Sequence, residues 1–244
     1  MPKKFFEMSA KELSKFEVSM KADDTAEIYL YGQIVGESWG GEYGISEKDI
    51  IKALKDIPKT VKNINVRVNS PGGSVFSGTT IYEFLKNHPA KVTAYVEGMA
   101  ASIASIIIMA SDEIVMGDAG MIMIHKPLVG VYGNANELQD MIEILDRIEY
   151  QMISIYLKRV KKSREEIANM LAKETYFGAE QAIEVGLADR KMDSSDESRY
   201  LAASILKDMK NMKQFKNLPE MESPEEISAR LRREEIAELT KDIF

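Results

Sequence analysis

Short strand-forming runs alternate with amphipathic helical patterns between residues 26 and 185. The strand patterns, rich in β-branched and aromatic residues, are 26–34, 64–68, 91–96, 113–116 and 121–125. The helical patterns, apolar on one side and capped by polar residues, are 46–57, 76–87, 98–110, 164–172 and 179–185. This alternation predicts βαβ units, and hence an α/β domain with a mostly parallel sheet and right-handed crossovers.

The longest helical pattern, residues 136–160, has apolar residues spaced alternately three and four apart. They are Leu138, Met141, Leu145, Ile148, Met152 and Ile155. Such a heptad seam fits two arrangements equally: a helix lying on its own domain, or a helix that contacts other subunits.

The two ends of the chain differ in composition from the middle. Residues 1–24 are charged and aromatic without a clear period, which indicates an N-terminal arm. A polar linker follows residue 191, and Ser223 with Pro224 then forms a strong helix start before a highly charged stretch. We therefore expect an arm at 1–24, a domain at 25–191 and a C-terminal helical extension at 192–244.

The composition excludes several classes of protein and site. Of 244 residues, 45% are apolar and 29% charged, as in ordinary globular domains. Cysteine is absent, which excludes disulfides, a thiolate nucleophile and cysteine-ligated metals. The only histidines are His88 and His125, so a multi-histidine metal site is excluded. The net charge of −7 argues against nucleic acid as the main partner, because phosphate binding needs surplus cations.

The sequence contains no pattern for export or for a membrane span. The N-terminus has lysines but no apolar core behind them, so we do not interpret it as a signal peptide. The longest apolar run, 99–110, is interrupted by serines and is shorter than the roughly 20 residues that cross a bilayer. We expect a soluble, cytoplasmic protein with no membrane partner.

Three segments contain residues capable of chemistry. Asn-Ser-Pro-Gly-Gly-Ser at 69–74 follows a strand, Ser102 follows a small-residue turn, and His125 ends an apolar strand. Each has a purely structural interpretation: a tight turn, a helix N-cap and a buried structural histidine. Because parallel strands end at one edge of a sheet, the three can also form one site. A serine with a base and backbone N–H groups suits acyl transfer.

His88 follows a helix and precedes a proline. A histidine there is favourable at the helix C-terminus, so we interpret it as structural.

The three segments that contain Gly73, Ser102 and His125 resemble the three signature segments of the proteolytic subunit of the Clp protease. They are Asn-Ser-Pro-Gly-Gly at 69–73, Gly-Met-Ala-Ala-Ser at 98–102 and Met-Ile-His-Lys-Pro at 123–127. Their order matches, and 23 positions separate Ser102 from His125.

The similarity extends through the long helix to 177–189 and covers about residues 25–191. Glu-Ser-Trp-Gly-Gly at 37–41 and the added C-terminal helices resemble the phage and prophage branch of the family. Members of that branch are commonly assigned to prohead, or head-maturation, proteolysis.

The resemblance implies a role for each matching residue. Ser102 matches the nucleophile, His125 the general base, and the backbone N–H groups of Gly73 and Ile103 the oxyanion hole. The family's third member is an aspartate, whereas the matching residue here is Glu174. Glutamate has one extra methylene, so it orients His125 only if the backbone shifts by roughly one carbon–carbon bond.

The implied fold is the Clp protease/crotonase spiral of ββα units with a protruding helix-and-strand handle. The family stacks seven-membered rings through this handle, which implies a homo-oligomer, a heptamer or tetradecamer. The heptad seam and the segment at 129–133 fall at the handle. An extended peptide is expected to pair with its edge by strand addition, which makes Gly72, Val129, Gly130 and Val131 candidate substrate-binding residues.

The proteolytic subunit of the family uses no metal, cofactor or nucleotide, and nucleotide hydrolysis belongs to a partner AAA+ unfoldase. The expected partners are therefore a protein or peptide substrate, other copies of this chain, and either an unfoldase or phage capsid and scaffold proteins.

The sequence favours a serine endopeptidase with a Ser-His-acid triad in a self-assembled ring, of the phage head-maturation type. One alternative is a ring or scaffold in which Glu174 breaks the triad. Another is a crotonase-type acyl-CoA enzyme, which shares the fold and the oxyanion N–H groups. That chemistry usually uses a carboxylate base and has no need of Ser102 with His125.

Overall fold

The computed structural model describes residues 15–22, 24–36, 44–58 and 60–193. The chain divides into two units, 1–193 and 194–244, and every described residue belongs to the first. The stretch at 37–41 and the expected helices of the C-terminal extension lie outside the described residues.

The described residues form ten strands and six helices. The strands are β1 (Lys15–Ala22), β2 (Thr25–Tyr31), β3 (Ile34–Val35), β4 (Ile45–Ser46), β5 (Asn63–Ser70), β6 (Lys91–Ala101), β7 (Glu113–Met116), β8 (Met121–Ile124), β9 (Thr175–Gly178) and β10 (Arg190–Lys191). The helices are α1 (Glu47–Asp56), α2 (Val75–Lys86), α3 (Ile103–Ile108), α4 (Ala135–Tyr156), α5 (Arg164–Ala172) and α6 (Ala179–Val185).

Eight of these strands form one mixed sheet, in the order β1-β2-β5-β6-β7-β10, with β8 beside β6 and β9 beside β8. The pairs from β2 to β10, and the β6–β8 pair, are parallel. Only the β1–β2 and β8–β9 pairs of this described sheet are antiparallel. The predicted α/β fold with a mostly parallel sheet is therefore confirmed.

The apolar core lies between the sheet and its helices. Alternate residues of the central strands, such as Ile28, Val66 and Ala94, are at most 1% exposed. Helix α3 is buried along its whole length. Gly78 of α2 lets the two helices approach, because a Cβ there would lie 2.1 Å from Ile103 Cγ1. Burying a side chain such as isoleucine stabilises the fold by about 1.5–3 kcal/mol.

The opposite face of the central strands contains a buried polar network. Arg67 of β5 donates to Glu27 of β2 at 2.9 Å and to Glu97 of β6 at 3.4 Å, and its guanidinium lies 4.1 Å from the centre of the Tyr95 ring. Removing one partner of such a buried ion pair costs about 3–5 kcal/mol, because the other charge is left unpaired. The network therefore links β2, β5 and β6, and the last two of these strands lead into the site.

No helix within the described ranges is both long enough and apolar enough to cross a membrane.

Candidate active site

Two glycines after β5 allow the turn that follows this strand to approach β6 closely. Gly72 and Gly73 have φ of 90° and 143°, in the left-handed region where a side chain is strained. A Cβ on Gly72 would lie 2.7 Å from Ser102 Cβ, and one on Gly73 would lie 2.0 Å from the Ile34 carbonyl oxygen. Glycine is therefore required at position 72 for the turn to lie against Ser102, and at position 73 for it to lie against β3.

The helix predicted to begin at Gly98 is wrong: β6 continues to Ala101 and α3 begins only at Ile103. Residues 99–101 pair in parallel with 121–123 of β8, which lies beside β6 beyond the end of β7. Alanine favours a helix when propensity alone decides, but the hydrogen bonds of this ladder favour the extended backbone. The strand delivers Ser102 to the end of the sheet.

Ser102 occupies the turn between β6 and α3 with φ 54° and ψ −125°. Such a backbone conformation costs a non-glycine residue about 1–3 kcal/mol, so surrounding contacts must maintain it. The Ser102 N–H donates to the Met123 carbonyl at 2.9 Å. Its side chain makes no capping hydrogen bond, which removes the N-cap interpretation. Instead, Ser102 Oγ lies 2.7 Å from His125 Nε2.

His125 follows β8 directly, and its side chain is half-buried. Within the described part of the chain, the hydrogen bond of its ring is the one with Ser102. A separation of 2.7 Å between the two heavy atoms is within the range that proton transfer to a general base requires. For Nε2 to accept a hydrogen bond from the Ser102 hydroxyl, the neutral ring must carry its proton on Nδ1. The sheet therefore brings together the serine and the histidine that the sequence singled out.

Glu174 makes no hydrogen bond or ion pair with His125 among the described contacts. It follows the end of α5 with φ 50°, its N–H donates to the Leu171 carbonyl at 3.2 Å, and its side chain is exposed. The carboxylate accepts a hydrogen bond of 2.7 Å from the Tyr176 hydroxyl, which raises the pKa of Tyr176. The described contacts therefore assemble two members of the expected triad and leave the third directed elsewhere.

The N–H groups of Gly73 and Ile103 have no hydrogen-bond acceptor among the described residues. A Cβ on Gly72 would lie 3.1 Å from the Ile103 nitrogen, so the glycine turn and the start of α3 are adjacent. Unpaired backbone donors beside a nucleophile are the groups that stabilise an acyl oxyanion.

The segment expected to bind substrate is exposed and irregular. Val129 and Val131 are 47% and 45% exposed, and no atom lies within 4 Å of a Cβ built on Gly130. Residues 125–134 contain neither helix nor strand. The edge expected at 129–132 is therefore available but is not a strand in the single chain.

His88 makes none of these contacts. Its Nδ1 accepts a hydrogen bond of 3.1 Å from the Ala90 N–H, which agrees with a structural role. Burial lowers its pKa and so disfavours the protonated ring, which is the form that a helix C-terminus stabilises.

Comparison with known protein families matches residues 46–195 to the Clp protease. The chain belongs to the Clp protease family. It is also 28% identical over 149 residues to an ATP-dependent Clp protease proteolytic subunit of Deinococcus radiodurans. This match covers 60% of the present chain and 72% of the relative. The family predicted from the three signature segments is thereby confirmed, and the chain is a protease by family.

The Clp protease match includes Ser102, His125 and Glu174 and begins after the first strands of the sheet. The phage branch of the family is not distinguished by these comparisons and stays a prediction.

Sequence reasoning missed two hydroxyl groups beside the nucleophile of this Clp protease domain. Ser105 Oγ donates to the Ser102 carbonyl at 2.5 Å and lies 2.6 Å from the Tyr156 hydroxyl. The available signal was a serine within the otherwise apolar run Ile-Ala-Ser-Ile-Ile-Ile. A polar side chain on a fully buried helix needs a hydrogen-bond partner, so this serine indicates a polar contact.

Proposed function

We propose that the chain is a serine endopeptidase that cleaves peptide bonds through Ser102 and His125 within a homo-oligomeric ring. The main support is the 2.7 Å contact between Ser102 Oγ and His125 Nε2 at a turn with strained backbone. The family supplies the reaction class, which is proteolysis.

In the proposed mechanism, Ser102 Oγ attacks the carbonyl carbon of the scissile peptide bond while His125 Nε2 accepts its proton. The carbonyl oxygen becomes an oxyanion, to which the N–H groups of Gly73 and Ile103 donate. His125 then gives its proton to the leaving amine, and a water molecule activated by the same ring hydrolyses the acyl-enzyme. Glu174 is the proposed orienting acid, which requires its carboxylate to leave Tyr176 and reach Nδ1 of His125.

The substrate is proposed to bind as an extended peptide along Val129, Gly130 and Val131, with Gly72 close to the reacting carbonyl. Exposed backbone of this kind pairs with an added strand, and the main-chain hydrogen bonds are independent of the peptide's sequence. The irregular conformation of this segment in the single chain fits an edge that becomes ordered on binding.

Assembly is proposed to use the handle, residues 129–160, with Leu128 immediately before it. Exposed apolar side chains cluster here: Leu128 (78%), Tyr132 (102%), Leu138 (40%), Ile142 (51%) and Ile144 (44%). Several exposed apolar side chains in one segment are typical of an interface. We propose that copies of the chain cover it in a heptamer or tetradecamer. Sedimentation at micromolar concentration is expected to give a multiple of 27.4 kDa, whereas a monomer alone would contradict the ring.

The finer proposal is a cytoplasmic protease of the phage head-maturation type, with capsid or scaffold proteins as substrates or an AAA+ unfoldase as partner. Its support is the resemblance of residues 37–41 and of the C-terminal helices to that branch. Incubation with a head scaffold protein, compared with an unrelated unfolded protein, tests this level. Equal cleavage of both would contradict head maturation while leaving the peptidase proposal intact.

Labelling with a serine-directed fluorophosphonate, together with hydrolysis of fluorogenic peptides without ATP or added metal, tests the peptidase proposal. We expect both reactions, and a mass shift on the peptide that contains Ser102. Assembly without either reaction would favour the non-catalytic scaffold, for which the hydrogen bond of the Glu174 carboxylate to Tyr176 instead of His125 is the supporting observation. Turnover of acyl-CoA thioesters without fluorophosphonate labelling would favour the crotonase-type enzyme.

A further inference from the structure

Two buried hydroxyl groups form a hydrogen-bonded chain that ends on the backbone of Ser102. Ser105 and Tyr156 are both 0% exposed. Ser105 Oγ donates its single proton to the Ser102 carbonyl at 2.5 Å. The 2.6 Å contact between Ser105 Oγ and the Tyr156 hydroxyl must then have Tyr156 as the donor. The Ser105 N–H also donates to the same carbonyl, at 3.0 Å.

The carbonyl that these groups hold belongs to the peptide unit between Ser102 and Ile103. A peptide unit is planar, and its C=O and N–H bonds point in opposite directions. Fixing the direction of the Ser102 C=O therefore fixes the direction of the Ile103 N–H. The φ of 54° places Ser102 in a strained backbone conformation, so contacts are needed to maintain the orientation of the peptide unit that follows it.

We propose that Ser105 and Tyr156 are positioning residues, which hold the Ser102–Ile103 peptide so that the Ile103 N–H faces the acyl oxygen of the substrate. The inference rests on the proposed peptidase function. It assigns a role to Tyr156, the last residue of α4. Helix α4 packs against α3, which begins beside Ser102.

The chemistry of the pair supports positioning rather than packing. Burying two hydroxyl groups costs free energy that their mutual hydrogen bond only offsets, and two apolar side chains of similar shape would fill the space without that cost. The contact that apolar side chains do not replace is the bond to the Ser102 carbonyl. Burial raises the pKa of Tyr156, so its hydroxyl stays protonated and able to donate at neutral pH.

Three variants separate positioning from stability: Ser105→Ala, Tyr156→Phe and Ser105→Ala/Tyr156→Phe. Removing an oxyanion donor outright costs about 10²–10³ in kcat, and a donor that is only loosened should cost less. We expect Ser105→Ala to lower kcat about tenfold with KM nearly unchanged, and Tyr156→Phe to have a smaller effect. The double variant leaves neither hydroxyl unpaired. Its Tm should therefore recover toward the parent value while kcat stays at the Ser105→Ala level.

The matched control is Ser111→Ala. Ser111 is a buried serine whose hydroxyl has no hydrogen-bond partner among the described residues. Its removal should leave kcat at the parent value, which would show that loss of a buried serine hydroxyl alone does not lower activity.

Two further measurements depend on orientation rather than on stability. Ser105→Ala should lower kcat/KM by the same factor at every pH, because the hydroxyl positions a peptide unit and takes no part in proton transfer. Amide hydrogen exchange over residues 102–106 should accelerate in Ser105→Ala and in the double variant but not in Ser111→Ala, whether or not the protein is active.

Parent-level kcat in Ser105→Ala, or kcat that recovers together with Tm in the double variant, would overturn the inference. Unchanged exchange at 102–106 would also overturn it. Should Ser105→Ala fail to fold, the double variant, which strands no polar atom, gives the deciding values. A parent protein that neither hydrolyses peptides nor reacts with fluorophosphonate would instead refute the proposed function, and the exchange measurement would still judge the positioning of the peptide.

Discussion

Ser102 and Glu174 are the two non-glycine residues with positive φ in the described part of the chain, at 54° and 50°. At Ser102, hydrogen bonds hold the peptide units on both sides, to the Met123 carbonyl and from Ser105. Ser102 Oγ contacts His125 as well. The strain there is maintained by contacts from two separate parts of the chain, the end of β8 and helix α3.

Glu174 has few such contacts. Its N–H bonds back to Leu171 of the helix that it terminates, and its exposed carboxylate bonds to Tyr176. A left-handed residue just after a helix is the usual way to end it, and glycine or asparagine is common there. The same sign of φ therefore has two causes: a reactive turn at Ser102 and helix termination at Glu174.

The largest expected effect is on the rate of the Ser102→Ala variant. Removing the nucleophile of a triad lowers kcat by about 10⁶ in a well-characterised serine protease. The substitution deletes only one hydroxyl, so the fold and the assembly should be unchanged. Peptide hydrolysis and fluorophosphonate labelling should both disappear. Circular dichroism and sedimentation should match the parent.

Ser105→Ala is the matched serine variant for this test, because Ser105 is three residues away and fully buried. It should retain fluorophosphonate labelling on Ser102. Full peptidase activity in Ser102→Ala would refute the protease proposal, and a label found on Ser105 would mean that the nucleophile is misassigned.

A smaller effect is expected at Glu174. An aligned aspartate is worth about 10⁴ in rate, but this carboxylate bonds to Tyr176 and must move to reach His125. We expect Glu174→Gln to lower kcat by no more than about 10², below the losses for Ser102 or His125 variants. Glu174→Asp should retain or raise activity if the backbone keeps the family spacing. Steady-state kinetics on a fluorogenic peptide measures each value.

Tyr176→Phe is the control for this prediction. It removes the competing hydrogen bond and leaves the carboxylate in place, so activity should be retained or raised. If Glu174→Ala cleaves peptides at the parent rate, Glu174 has no orienting role, and a backbone carbonyl or another residue must hold His125.

The sequence predicted those elements well whose signals are local. The bounds of β7, α5 and α6 agree with the expected ones to the residue, because each has a clear apolar pattern and polar or glycine boundaries. β6 was predicted too short, since only pairing with β8 explains an extended Met-Ala-Ala. β1 was not predicted because residues 1–24 as a whole show no clear apolar period, although it pairs with the neighbouring β2, and β9 was not predicted because it is a short edge strand whose partner β8 lies about 50 residues away.

The candidate site divides in the same way. The Ser102–His125 contact was predictable because strand ends in a parallel sheet meet at one edge. The direction of the Glu174 side chain was not, since it depends on how α5 ends. The Arg67 network was also missed, because Glu27, Arg67 and Glu97 are far apart in sequence and their burial is decided by strand order.

The smallest expected effect is on stability, and it tests the cause assigned to each positive φ. Glycine adopts φ of 50° without a Cβ clash, although it costs about 0.5–1 kcal/mol in unfolded-state entropy. Because the left-handed region costs other residues about 1–2 kcal/mol, Glu174→Gly should raise the free energy of unfolding by up to about 1 kcal/mol. Glu174→Ala keeps the Cβ and should give no gain. Ser102→Gly gains the same relief but loses the His125 hydrogen bond, so its net change should be smaller. Urea midpoints at matched protein concentration measure all three, and a Glu174→Gly variant less stable than Glu174→Ala would show that relief of the backbone strain is smaller than the entropy cost of glycine.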